Sequence, residues 1–195
     1  PPLTTTGRTI VSNGSTISSE QNGQHVLVSD NANITVSIAP GSQPSVLTFN
    51  VPTWVQGTAP SECTTKETRI NRTTYTCTVT GDGISGDARL VKQGDGTLAL
   101  PKADFTHTGE TNVWAGTLRF NGTMLQSPLW LNRHTQLHSD GGAFLSIKAE
   151  YGSTIEIGSN ESTASQISAS TLSLGFGSRL VIDLYATDLS ADKVN

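Results

Sequence analysis

Residues 96–120 carry one short phrase twice. Gly96-Thr97-Leu98-Ala99-Leu100 returns as Gly116-Thr117-Leu118-Arg119-Phe120, the leucines 20 residues apart. The aliphatic position recurs at Leu137, Ile155 and Leu180, each near a Gly-, Thr- or Ser-rich strand start, so the intervals run 20, 19, 18 and 25. A sandwich has no reason to reuse one local pattern at a near-constant period. A β-solenoid does, because every coil must present the same inward residues to the coil below. About 20 residues at ~3.3 Å each make three short strands with their corners, the perimeter of one coil.

Composition agrees. Of 195 residues, 34 % are hydrophobic and only 14 % charged, both below globular averages. Thr suits a pleated strand and Ser, Gly and Asn suit turns, while the long Ala/Leu/Glu/Lys runs of amphipathic helices are missing. The expectation is all-β. A net charge of −4 without basic clusters argues against nucleic acid as a partner. No apolar run reaches the roughly 20 residues of a membrane helix. The opening Pro-Pro-Leu-Thr-Thr-Thr does not read as a signal peptide, so a mature or trimmed piece of a longer protein is expected.

Strand-like pieces fall at 25–29, 34–38, 46–51, 74–79, 89–91, 97–100, 111–115, 117–120, 129–132, 143–148, 154–157, 171–174 and 180–184, each bounded by turn residues. From residue 89 onward the solenoid reading is the better one. Residues 1–88 are less regular, with a possible sub-boundary near 80–88. They read as early coils of a single 1–195 domain, or alternatively as a small separate sandwich. Segment 52–75 looks like a loop projecting from the stack. It contains Cys63 and leads to Cys77, the two cysteines of the chain. Neither has metal-ligand spacing, so a disulfide closing this insertion is expected, and with it an oxidising compartment. Sequons at Asn13, Asn33, Asn71, Asn121 and Asn160 match the Thr/Ser/Asn bias and would matter only in a eukaryotic secretory pathway.

The segment 90–122 resembles the autotransporter-associated β-strand repeat. Leu90, Lys92, Gly94, Gly96, Thr97, Leu98 and Leu100 fit its first part, Thr108, Gly109, Thr111 and Val113 its second, and Gly116, Thr117 and Leu118 its third. The resemblance implies a right-handed parallel β-helix in a bacterial secreted or surface protein, often as a passenger stalk. The family also occurs in large extracellular proteins that include polysaccharide-degrading ones. It brings no catalytic residues. The cysteine-flanked insertion departs from its pattern, and a membrane barrel is not visible.

Candidate functional residues are therefore those that break the repeat. Period-two alternation places Trp114 and Trp130 outside, flanked by inward aliphatics, where exposed indoles could stack on sugar rings. Tyr151 is a further candidate, as is Trp54, which otherwise anchors the cysteine loop. Asp82 and Asp87, in Gly-rich turns, are weak calcium ligands that fit ordinary Asx turns better. Asp104, Glu110 and Asp140 could supply an acidic pair. His134 and His138, four apart, would lie ~13 Å apart on a strand, too far for one metal. No cofactor is expected. The primary expectation is a non-catalytic spacer or ligand-presenting stalk that neighbours other domains of its chain. The alternatives are a carbohydrate-binding module for a complex polysaccharide and a fragment of a lyase or hydrolase.

Overall fold

The computed structural model describes residues 8–30, 32–56, 71–158 and 165–182, with 184–185, 190–191 and 193–194 beyond them. Its first strands are β1 (Arg8–Val11), β2 (Thr16–Ile17), β3 (His25–Ser29), β4 (Ile34–Ile38), β5 (Val46–Asn50), β6 (Thr53–Gln56), β7 (Asn71–Thr74) and β8 (Thr76–Gly81). Then come β9 (Arg89–Gln93), β10 (Thr97–Ala99), β11 (Thr111–Val113), β12 (Thr117–Arg119), β13 (Thr123–Leu131), β14 (Gln136–Ser139), β15 (Ala143–Ala149) and β16 (Thr154–Ile157). The last are β17 (Gln166–Leu174), β18 (Arg179–Ile182), β19 (Leu184–Tyr185), β20 (Ser190–Ala191) and β21 (Lys193–Val194). One 3-10 turn at Ser19–Gln21 is the helical element among the described residues, closed by a capping box between Ser18 and Gln21. None of the helical structure described is long and apolar enough to cross a membrane.

Two parallel sheets carry the stack. One has nine strands in the order β1-β3-β5-β9-β11-β13-β15-β17-β21, the other eight in the order β18-β16-β14-β12-β10-β8-β4-β2. Each strand pairs with its counterpart one coil away, the defining connectivity of a parallel β-solenoid. Pairing crosses residues 80–88 directly, from β4 through β8 to β10 and from β5 to β9.

The repeat read from sequence is the inner ladder of the eight-stranded sheet. Leu98 pairs with Leu118, Leu118 with Leu137, Leu137 with Ile155, and Ile155 with Leu180. Leu98, Leu118, Leu137 and Ile155 are fully buried. Burying each such side chain contributes about 1.5–3 kcal/mol. The ladder also continues the other way, through Cys77 to Ile34.

That continuation corrects the expected disulfide. Cys77 is a free, buried thiol. It stands where the next coil has Leu98, pointing into the core, so its sulfur cannot serve an outward loop. Burial pushes its pKa up to about 12, opposed weakly by the nearby Lys92 ammonium. Cys63 lies outside the described residues. The insertion itself leaves the stack as an antiparallel hairpin, β6 against β7, between β5 and β8.

Around residues 103–107, 123–125, 143–145 and 168–169 the coils form a third face. It begins with the single bridge from Asp104 to Thr123 and continues through Thr123–Ala143 and Ala143–Ser168. Strands β13 and β15 bend from this face into the nine-stranded sheet, and the register of their pairing shifts between Met124 and Pro128. Beneath the third face Phe105, Phe120 and Phe144 pack edge to face, with centroids 5.3 and 5.7 Å apart, a preferred aromatic geometry.

Corners are held by hydroxyls. Thr135 donates to the carbonyl of Asn132 at 2.7 Å, Ser153 to the same carbonyl at 2.8 Å and Ser178 to that of Glu150 at 2.8 Å. Ser153 and Ser178 thus bond each coil to the one before it. Asn13, Asn33 and Asn121 do similar work, their carbonyl oxygens accepting the amides of Thr35, Thr76 and Asp140. Buried polar groups at these corners therefore find partners, as a dry interior requires.

In the nine-stranded sheet the inward row Val11–Val28–Phe49–Lys92–Val113–Leu131–Ala149 contains one cation. Lys92 is fully buried. Its ammonium donates to the carbonyls of Gln93 (2.9 Å), Gly94 (2.6 Å) and Ala115 (3.0 Å), using all three of its donors. Burial draws its pKa down to about 8, against the pull of Asp95 and Cys77. The lysine of the repeat is thus an internal clamp joining two consecutive corners.

Candidate functional site

Trp130 lies on the outer surface of the nine-stranded sheet and Trp114 directly after β11, both outward as period-two alternation predicts. Trp130 pairs with Asn112 and Lys148, between buried Leu129 and Leu131. Trp114 follows Asn112 by two residues on the adjacent coil and is 57 % exposed. Their surroundings differ. The Lys148 ammonium sits 4.2 Å from the Trp130 ring centroid, a cation–π contact that covers one indole face, and Lys148 is also paired with Glu150 at 3.2 Å. Tyr151 stands at a corner with one face stacked on Phe176, centroids 6.0 Å apart and planes 14° from parallel. His134 meets Tyr151 at 88°, centroids 5.4 Å apart. The corner therefore carries a three-ring aromatic ladder, His134–Tyr151–Phe176. Phe176, 86 % exposed, belongs to this ladder, and no strand alternation in the sequence marks it as outward. Trp54 lies on β6, and its side chain is outside the described residues.

The acidic candidates do not converge. Glu110 pairs with Arg89 at 3.2 Å and accepts from Asn112 at 3.1 Å. Asp104 accepts from the Thr123 hydroxyl. Asp140 accepts from Asn121 at 3.1 Å. Asp104 and Asp140 belong to corners two coils apart, about 10 Å along the axis from strand spacing alone, with Asn121 between them. His138 lies on β14 between two carboxylates, each 3.5 Å away, Asp140 from one ring nitrogen and Glu156 from the other. His134 sits at the preceding corner in a left-handed conformation, φ 60°. Asp82 and Asp87 are exposed. Among the described residues no group of three or more His, Cys, Asp or Glu side chains is arranged to hold a metal.

Where the eight-stranded sheet turns into the third face, successive corners leave a shallow groove of ≈220 Å³. It is lined by Lys102, Ala103, Asp104, Asn121, Gly122, Thr123 and Gly141. Sequence reasoning picked out Asp104 but not its neighbours, because polar residues around a Gly read simply as a turn.

One buried titratable group lies behind this face. The His107 Nε2 is 2.9 Å from the Thr111 hydroxyl, which is 2.9 Å from the Ser127 hydroxyl, and Ser127 donates to the Gly109 carbonyl at 2.7 Å. Because Ser127 spends its proton on the carbonyl, Thr111 donates to Ser127 and His107 donates from Nε2. Nδ1 is left as a buried acceptor with no partner among the described residues. Burial draws the imidazole pKa down to about 4. The unfolded chain takes up this proton near pH 6.5 and the folded chain resists it, so stability is present above pH 6.5 and is lost as pH falls toward 4. The loss expected from this group is up to about 3 kcal/mol. Thermal melts from pH 7.5 to 4.5 should show it, and His107→Gln, which keeps a donor without titrating, should flatten the wild-type slope. Equal slopes in the two proteins would remove His107 from the account.

Residues 90–120 match the family model described as the passenger-associated-transport-repeat. The match runs from β9 to the end of β12 and coincides with the resemblance seen in the sequence. No curated protein and no solved structure matches the chain.

Proposed function

We propose that this chain is a non-catalytic β-solenoid segment of a larger bacterial secreted or cell-surface protein, a rod that spaces or presents its neighbours. The observation that carries the reading is the unbroken inner ladder, one residue per coil from Ile34 to Leu180. The passenger-associated repeat within it supports an extracytoplasmic setting. Eight steps across a nine-stranded sheet at ~4.8 Å each give a stack roughly 40 Å long. A spacer is defined by length and continuity, so whole coils should be removable. Excision of 117–135, which joins Gly116 to Gln136 in the register of Thr117, should leave a folded rod one coil shorter. In a passenger host it should still be exported and displayed. Removing half a coil should unfold it. Loss of folding on whole-coil excision, or polysaccharide turnover by the intact chain, would contradict the reading.

A second reading, a carbohydrate-binding module appended to a glycan-degrading enzyme, draws support from Trp114, the tryptophan whose exposure is greatest among the described residues.

A further inference from the structure

We propose that the groove at the third-face corner holds one ring of a neutral, hydroxyl-rich saccharide. This goes beyond the spacer reading and does not depend on it. At ≈220 Å³ the groove is smaller than the ~300–1,000 Å³ pockets that take drug-sized ligands, a size that suits a single sugar ring. It is open to solvent, so the ring can belong to a longer chain.

Its polar groups alternate between donors and acceptors. Asn121 is fixed in orientation, its carbonyl accepting the Asp140 amide at 2.7 Å and its amide donating to the Asp140 carboxylate at 3.1 Å. That leaves one amide proton and one carbonyl lone pair for a ligand. Thr123 donates to one oxygen of Asp104, which fixes that carboxylate and leaves its second oxygen as an acceptor. Lys102, exposed at the rim, adds an ammonium donor. Adjacent sugar hydroxyls, each both donor and acceptor, satisfy such a set.

Simple ions do not. A phosphate or carboxylate that approached Lys102 would face Asp104, and a divalent cation that approached Asp104 would face Lys102. The mixed charge selects a neutral polar ligand. Ala103 and Gly122 give the groove an apolar floor, and Gly122 is packed so closely that an added Cβ would lie 2.2 Å from the Ala103 carbonyl oxygen.

Gly141 supplies a neutral control for the test. An added Cβ there meets only the Gln166 carbonyl oxygen, at 4.0 Å, so Gly141→Ala leaves both the stack and the groove in place. The probes are glucose, galactose, mannose, N-acetylglucosamine and their short oligosaccharides, followed by amide chemical shifts in the full chain. Inorganic phosphate and calcium serve as charged controls. The expected result is a shift with at least one sugar at 102–104, 121–123 and 141. Asp104→Asn and Lys102→Ala should each weaken it about tenfold at an unchanged melting temperature, and Gly141→Ala should retain it. Four outcomes overturn the proposal: no shift with any of these sugars, shifts centred on Trp114 instead, undiminished binding by the Lys102→Ala/Asp104→Asn double variant, or preferential binding of phosphate or calcium. Each of them leaves the coil-excision result, and with it the spacer reading, untouched.

Discussion

Lys92→Ala is expected to lower the melting temperature by about 10 °C, as read by calorimetry or circular dichroism. The substitution removes the one donor that three corner carbonyls share and opens a cavity between Phe49 and Val113. Cavity and lost hydrogen bonds together should cost about 3–5 kcal/mol. Lys92→Met separates the two contributions, since it restores most of the volume but none of the donors. It should recover only part of the loss. If Lys92→Met were as stable as the wild type, the carbonyls would need no cation and the clamp would be an accident of packing.

Gly116→Ala should be nearly as damaging. Gly116 adopts φ +73°, and a Cβ there would stand 2.3 Å from the Gly96 carbonyl oxygen and 2.7 Å from that of Gly94. The left-handed backbone alone costs an L-residue roughly 1–2 kcal/mol. The clash is with backbone and cannot be relieved by a rotamer change, so a total of about 3 kcal/mol or more is expected. Gly141→Ala, with open space around its Cβ, is the control and should be near neutral. Equilibrium urea unfolding of the two variants side by side reads the contrast. Equal midpoints would mean that the corners are not in van der Waals contact. The repeated Gly-Thr-Leu is thus explained from its first residue: the glycine allows close approach of two corners, and the leucine enters the ladder two residues later.

Much of this was readable because solenoid physics leaves its mark on sequence. Leu98, Leu118, Leu137, Ile155 and Leu180 had to be aliphatic to stack, and so their spacing could be counted. Cys77 was misread because a Cys near a polar insertion suggests a disulfide. Yet 76-TCTVT-80 alternates polar and apolar as strictly as any strand in the chain, and that alternation was the better signal. Lys92 stands in the sequence only as one position of the repeat pattern. Its burial depends on three carbonyls delivered by two different corners, which no local pattern encodes. Three strands per coil follow from its perimeter, but the strands of the third face were hard to place for a related reason. Segment 103–107 contributes a single bridge, and the first halves of β13 and β17 are too polar to read as strands until neighbouring coils cover them. Surface chemistry was less legible still. Outward placement of Trp130 followed from parity, but its cover by Lys148 comes from a residue on the next coil. The groove likewise assembles from three successive corners.

The central claim is that consecutive coils stack in parallel, in the register read from the repeat. Thr78 and Val181 are exposed positions of one outward row, which includes Thr78–Ala99–Arg119–His138–Glu156–Val181. Spin labels at these two positions are separated by five strand steps, about 24 Å at ~4.8 Å per step. Pulsed dipolar spectroscopy should give a narrow distribution near that value. Moving the second label from Val181 to Glu156 should shorten it by one step. A broad distribution, or a distance that does not shorten when the label moves in by one coil, would contradict the stacked solenoid.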